Sequence, residues 1–413
     1  MTNVPDLDEL AELYRDLHAH PELAFAEHRT AGIAADRLRD LGYQVTTGVG
    51  GTGVVGVLAN GEGPTVLLRA DMDALPVLEQ TGLPYASTGY AEGRDGAEVP
   101  VMHACGHDMH VTCLVGAAAE LAAVRGAWHG TLVLVFQPAE EKGKGAQAMI
   151  DDGLFTRFPV PDIVLGQHVM PLPAGLLGVH GGPAMAGAEA LRVVLYGQGG
   201  HGSRPETTVD PILMAAATVL RLQGVISREV AARETAVLTV GALRAGTAPN
   251  IIPDQAELLL SLRHYNDKVH HKARAAIERI IRAEAAASGA PKDPEIITDV
   301  SFPLLVNDPD ASAKLKKLFN AGVGRTLDPG PVTGSEDVGL LATAAGVPLV
   351  YWFLGCSDPA LFDGVTTLEQ VREIVDGLPS NHSPMFAPVV KPTIRTGVAA
   401  LTTAARAWLG VCD

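Results

Sequence analysis

Within eight positions, His103-Ala104-Cys105-Gly106-His107-Asp108-Met109-His110 presents three imidazoles, a thiol and a carboxylate. These are the ligand types of a divalent metal of borderline softness, which accepts nitrogen, sulfur and oxygen donors. Cys105 and His107 flank a glycine, a spacing that lets neighbouring side chains converge on one ion. His103, His107 and His110 would share one helical face, so spacing leaves open which of them ligate. A second element is the doublet Glu140-Glu141. Adjacent carboxylates in a loop point in different directions, so one can hold a metal while the other faces an activated water. A bound metal lowers that water's pKa from about 15.7 to about 7, roughly 12 kcal/mol of help toward hydroxide. A positioned base adds about 10²–10⁴ in rate.

The elements that must position these groups are short apolar runs at 54–59, 65–68, 131–136 and 162–165, with Ala-rich helical stretches at 111–124 and 145–151 between the last three. Near-continuous apolar strands alternating with helices predict an α/β domain with a largely parallel sheet and helices on both faces. Three of the runs end in polar residues: Arg69-Ala70-Asp71-Met72-Asp73, Gln137-Pro138-Ala139-Glu140-Glu141 and Gly166-Gln167-His168. Ligands bind at the carboxyl ends of such strands. From about Ala186 the pattern changes to strand (191–196), helix (Asp210 as N-cap, to about 222), strands (236–243 and 256–263) and a helix over 268–288. This suits a small two-layer α+β insert, and the βα regime then resumes with a strand at 348–354 and a closing helix at 393–408. The expected boundaries are 1–185 and 297–413 for the main domain and 186–296 for the insert.

Composition narrows the function. The chain has 413 residues, 47% hydrophobic, with 47 acidic against 31 basic residues and a net charge of −16. That suffices for two or three domains at ~150 residues each. An acidic surface repels phosphate backbones and anionic lipids, which excludes nucleic acid and membrane surfaces as partners. No uncharged apolar stretch reaches the ~18 residues of a membrane span. The first twenty residues lack a basic start and apolar core, and the four cysteines show no paired spacing, so a reduced cytoplasmic protein is expected. Two glycine-rich segments, 48–53 and 197–202, fit the dinucleotide fingerprint without the following helix it needs. No G-x-S-x-G, P-loop or H-E-x-x-H is present. His18, His20, His28 and His129 read as surface residues.

The segments RADMDALP (69–76), MHACGHDMH (102–110), QPAEE (137–141), GQHVMP (166–171), GGHGSRP (199–205), APNIIP (248–253), GSEDVG (334–339) and NHSPMF (381–386) closely resemble the aminoacylase and carboxypeptidase family of metal-dependent amidohydrolases. The resemblance is strongest to the branch of hippurate hydrolases, N-acyl amino acid amidohydrolases and plant auxin-conjugate hydrolases. It implies a catalytic domain interrupted by a ferredoxin-like lid that forms a homodimer. It also implies one or two divalent ions, manganese or zinc, with cobalt or nickel as further possibilities. The implied ligands are Cys105, His107, Glu141, His168 and His382, with Glu140 as general base and His201 steadying the oxyanion. Asn250 and Arg263 are the implied contacts for the substrate's carboxylate. Relatives acting as peptidases or deacylases carry His-x-Asp at the end of the 65–68 strand; Arg69-Ala70-Asp71 stands here, so Cys105 substitutes for that ligand and Asp71 orients one. The implied reaction is hydrolysis of an N-acyl amino acid. The alternatives are a dipeptidase, an N-carbamoyl or ureido amidohydrolase, and, from another class, a non-catalytic metal- or ligand-binding protein on the same fold.

Overall fold

The apolar runs become the middle of one sheet. In the computed structural model, which describes residues 4–93 and 96–412, the strands carrying the architecture are β1 (Gln44–Val49), β2 (Gly53–Asn60), β3 (Thr65–Asp71), β4 (Trp128–Gln137), β5 (Ile163–Pro173), β6 (Leu176–Gly178), β7 (Gly187–Tyr196), β8 (Ala236–Ala245), β9 (Gln255–His264), β10 (Glu295–Phe302), β11 (Arg325–Leu327) and β12 (Leu349–Ser357). They fall into two units. The larger takes the chain to Ala184, Val306–Gly330 and the residues from Asp337 onward; the smaller takes Met185–Leu305 and Pro331–Glu336.

In the larger unit the sheet order is β1-β2-β4-β3-β5-β12-β6-β11, with Gly410–Val411 pairing on β4. The central strands β4, β3, β5 and β12 are parallel, whereas β1, β2 and β6 join antiparallel. Period-two alternation explains the unbroken apolar character of the centre. Val66, Leu68, Leu132, Leu134 and Leu165 enter one core, with helices packed on it. Their neighbours Leu67, Val133, Val135 and Val164 point the other way and are equally buried. Arg69 pairs with Val135 in β4 and Gly166 in β5, which brings Asp71, Gln137 and His168 to one carboxyl edge.

Between β3 and β4 the chain crosses through a helix, His107–Ala123, with 15 of 17 residues buried. A helix apolar all round belongs inside a core. At Gly116 an added Cβ would lie 2.6 Å from Val398 Cγ2 and 3.0 Å from Leu10 Cδ1, so a side chain there would have to displace the side chains packed from the helices on either side.

The smaller unit runs β7, helix Pro211–Gly224, β8, β9, helix Asp267–Ala287, β10, with sheet order β8-β9-β7-β10 and every pair antiparallel. This is the split βαβ arrangement. Asp210 caps the first helix through Ile212 and Leu213 N–H, with Pro211 at its first position. The unit extends past the expected boundary at 296 because Glu295–Phe302 pairs with β7. That strand is half-buried and carries Asp299, so it shows no apolar run. Among the described residues no helix is long and apolar enough to cross a membrane.

Candidate functional site

The larger unit gathers the expected donors through one glycine. Gly106, at φ +82°, precedes the helix His107–Ala123, and an added Cβ would lie 2.4 Å from Val169 Cγ2. The left-handed, side-chain-free position turns Cys105 and His107 toward a common point. Cys105 Sγ lies 3.5 Å from His168 Nε2. His168 donates its Nδ1–H to Val169 O at 2.8 Å, which leaves the lone pair on Nε2. His107 Nε2 is 3.9 Å from Glu141 Oε1 and 4.0 Å from Glu140 Oε2. His382 Nε2 stands 3.2 Å from Glu141 Oε1. His382 itself is left-handed at φ +72°, its N–H bound to Ala104 O at 2.8 Å, while Asn381 Nδ2 donates to Cys105 O and Val169 O at 3.2 and 3.1 Å.

Five groups have donor atoms within 4.8 Å of one another: Cys105/His107/His168, Cys105/Glu141/His382 and His107/Glu140/Glu141, which overlap on the expected donors, and Asp71/His107/His110 and Glu140/Glu336/Asp337. The three histidines of the cluster now separate. His110 spends both nitrogens, Nδ1–H on Asp71 Oδ1 at 2.5 Å and Nε2 on Val169 N–H at 2.9 Å. His103 is buried with neither nitrogen hydrogen-bonded, belongs to none of these groups, and is pushed down to about 4 by burial. His107 belongs to three of the groups, His110 only to the one it shares with Asp71.

Asp73, to which sequence reasoning assigns no role, holds the loop of the two glutamates. Its Oδ1 accepts from Glu140 N and its Oδ2 from Glu141 N, both at 3.0 Å, and Oδ1 lies 3.3 Å from His107 Nδ1. The available signal was its place two residues beyond Asp71, at the same strand end. Arg69 is wholly buried and paired: Nη1 donates to Asp71 Oδ2 at 2.7 Å, Nε to Gln137 Oε1 at 2.9 Å, and Nη2 to Asp337 Oδ1 at 3.3 Å. Asp337 also accepts from Gln137 Nε2 and Ala146 N at 2.7 and 3.0 Å. Arg69 thereby links three of the segments that surround the donors.

The electrostatics follow from burial among carboxylates. Burial pushes the Cys105 thiol well up, and Glu141, Glu140 and Asp71 push it further. For His107 burial opposes protonation, but Asp71, Asp73 and Glu141 carry it up to about 10. Burial holds His168 well below its ordinary value, so it is neutral. Burial works against ionising Asp71, yet Arg69, His107 and His110 keep it well below the carboxylate range.

A divalent cation fits this set. Both His107 nitrogens and Glu141 Oε1 are buried without a hydrogen bond, although oppositely charged partners lie near. Orphaned buried polar atoms of this kind call for a partner. A thiol, imidazoles and carboxylates are the donor types of a borderline-soft transition metal, and its charge reverses the balance that keeps the thiol protonated.

The remaining expected residues lie in the smaller unit. A two-residue ladder pairs His201 with Ile251, and Gly202 N donates to Asn250 O at 2.9 Å, which makes exposed His201 and Asn250 neighbours. His201 Nδ1 accepts from Ser203 N at 3.1 Å, so a neutral ring carries its proton on Nε2. Arg263 gives Nη1 to Thr333 O and Ser335 Oγ at 2.6 and 3.2 Å. One surface assignment fails: His18 is fully buried, its Nδ1 2.6 Å from Asp108 Oδ2 and its Nε2 3.1 Å from Glu79 Oε1. It lies one turn beyond buried Tyr14 on the inward face of its helix.

Residues 67–369 match the family described as peptidase family M20/M25/M40. A hippurate hydrolase of Campylobacter jejuni is 39% identical over 337 residues, 80% of this chain and 84% of that one. A thermostable carboxypeptidase of Saccharolobus solfataricus is 36% identical over 353 residues, 84% of this chain and 86% of that one. Among solved structures, a Bacillus subtilis protein described as a dinuclear metal-binding peptidase superposes with a TM-score of 0.74 at 27% identity, covering 97% of this chain and 98% of that one.

Proposed function

The chain belongs to the peptidase family M20/M25/M40, and on that premise we propose that it hydrolyses the amide bond of N-acyl amino acids with Glu140 as general base. The observation that carries this reading is Glu140 itself, a second carboxylate on the turn that presents the donor Glu141, within 4.0 Å of His107 Nε2. Binding a metal needs no such neighbour; extracting a proton from water does.

Cys105, His107, Glu141, His168 and His382 would hold one or two divalent ions, manganese or zinc by preference. Bound there, such an ion supplies Lewis acidity, which lowers the pKa of water and polarises a carbonyl. Glu140 takes the proton of the attacking water and returns it to the leaving amine nitrogen. His201, protonated on Nε2, donates a hydrogen bond to the oxyanion. Asn250 receives the free carboxylate of the amino acid, aided by the guanidinium donors of Arg263 not committed to Thr333 and Ser335.

The smaller unit serves in this reading as a lid and as the dimer contact. Its edge strand β8 has no partner on its outer side among the described residues. Val237, Leu243, Leu213 and Leu220 on the same unit are 50%, 44%, 70% and 76% exposed. An open edge beside exposed apolar side chains suits pairing with a second copy, which sedimentation equilibrium reads directly. The acidic composition and free thiols suit the cytoplasm.

Glu140→Gln is the direct test: kcat falls on the order of 10²–10⁴ while bound metal, read by elemental analysis, stays constant. An active E140Q protein removes the base assignment. N-acetyl and N-benzoyl amino acids turn over faster than dipeptides or N-carbamoyl amino acids, and chelation abolishes the difference. No turnover on any amide at full metal loading would leave only a binding protein.

A further inference from the structure

The turn that carries Glu140 is held from a second side by a residue outside the cluster. Glu27 occupies the N-cap position of the helix His28–Asp40 yet makes no cap there. Glu22 does that work, accepting from Arg29 N and Thr30 N at 2.8 Å each. The Glu27 carboxylate, fully buried, turns elsewhere. Its Oε1 accepts from Ala139 N at 2.8 Å and Phe25 N at 2.9 Å, and its Oε2 from the Thr52 hydroxyl.

Phe25 and Ala139 are not arbitrary partners. Among the described residues only Phe25, Ala139 and His382 combine a side chain with a positive φ, and Ala139 sits at +49°. Such a conformation is strained and survives where surroundings over-determine it. Ala139 directly precedes Glu140, and its left-handed turn delivers the next two N–H groups to Asp73. Lys142 Nζ, from the end of the same turn, donates to Ala24 O at 3.1 Å, so the segment 24–27 grips the turn at both ends.

We propose that Glu27 is a positioning residue for Glu140: by holding Ala139 left-handed it sets the direction in which the base faces the donors. The proposal rests on the reading of Glu140 as base. Glu27 touches neither substrate nor the reacting atoms. Its removal therefore lowers kcat and spares KM and metal content.

The test compares three variants of the metal-loaded enzyme. Glu27→Gln keeps an acceptor for both N–H groups while its amide turns to the Thr52 hydroxyl, and kcat stays within about threefold of the parent. Glu27→Met keeps the volume but orphans both N–H groups, and kcat falls about 10–100-fold at nearly constant KM and metal content. Hydrogen exchange rises in the peptide spanning 138–143 and not across the larger unit. Adding Ala139→Gly to E27M recovers at least about fivefold of the loss, since glycine adopts the left-handed turn without help. An E27M enzyme with parental kcat overturns the proposal, as does a loss that E27Q shares and that the added Ala139→Gly change leaves untouched. If E27M does not fold, Glu27→Asp, one methylene short of Ala139 N, carries the same kcat criterion. E140Q run in parallel separates the two readings. An active E140Q overturns the base assignment, whereas an inactive E140Q beside an unimpaired E27M overturns the positioning role alone.

Discussion

A single carboxylate, Asp73, fixes three groups at once: the backbone of Glu140, the backbone of Glu141 and the near side of His107. Asp73→Asn replaces one oxygen by an NH₂ group, which must then face an N–H that has nowhere else to turn. The expected result is a loss of about 10²-fold or more in kcat together with a 10–100-fold weaker metal site. Steady-state kinetics and a metal titration check both, and a D73N protein with parental metal affinity would sink the idea that Asp73 orients His107. The side chains that cluster here were legible in the sequence because Cys, His and Glu are recognisable by type wherever they stand. Asp73 was not, because its importance lies in two backbone N–H groups 67 and 68 positions away. Spacing likewise could not separate His107 from His110, since only the burial of Asp71 between Arg69 and His110 shows that the latter is already spent.

Helix Leu7–Ala19 meets helix His107–Ala123 through His18, whose imidazole lies between Asp108 and Glu79, all three side chains sealed from solvent. Burial works against its protonation, yet hydrogen bonding to Asp108 and then Glu79 carries it up to about 10. The folded value is raised, so the stabilisation is complete below about 6.5 and is lost as the pH climbs through about 10. His18→Leu leaves two buried carboxylates facing each other and costs about 3–5 kcal/mol at neutral pH. Urea titrations of parent and variant should therefore diverge at pH 7 and approach each other above pH 10; equal stability at pH 7 would show that the imidazole holds nothing together. Among elements, the central strands were readable because both faces are buried and nearly every residue is apolar. Gln44–Val49 and Glu295–Phe302 escaped notice for the converse reason: edge strands are half-solvated, and their polar residues hide the period.

The chain passes between its two units at Ala184, Leu305, Gly330 and Glu336, and each unit keeps its own apolar core. Separate cores allow separate unfolding, so the whole molecule need not melt in one step. In the smaller unit Glu189 ties three elements: its carboxylate lies 3.0 Å from His270 Nε2 and 3.2 Å from Arg274 Nε on the long helix, and accepts from Thr298 Oγ1 of β10 at 2.9 Å. Burial opposes ionisation there, but His270, Thr298 and Arg274 hold the carboxyl down at about 2. A depressed folded value means that the stabilisation exists above the unfolded value of about 4.5 and disappears as the pH falls toward 2, up to about 3 kcal/mol in all. Acid should therefore loosen the smaller unit across that window, seen as rising hydrogen exchange along β7, β10 and the helix Asp267–Ala287. Glu189→Gln removes the charge that the drop depends on: the variant starts less stable at pH 7, and its smaller unit responds less to pH between 4.5 and 2. A variant whose smaller unit keeps the parental acid profile would mean that other carboxylates govern it, because only a group whose pKa differs between folded and unfolded chains can tie stability to pH.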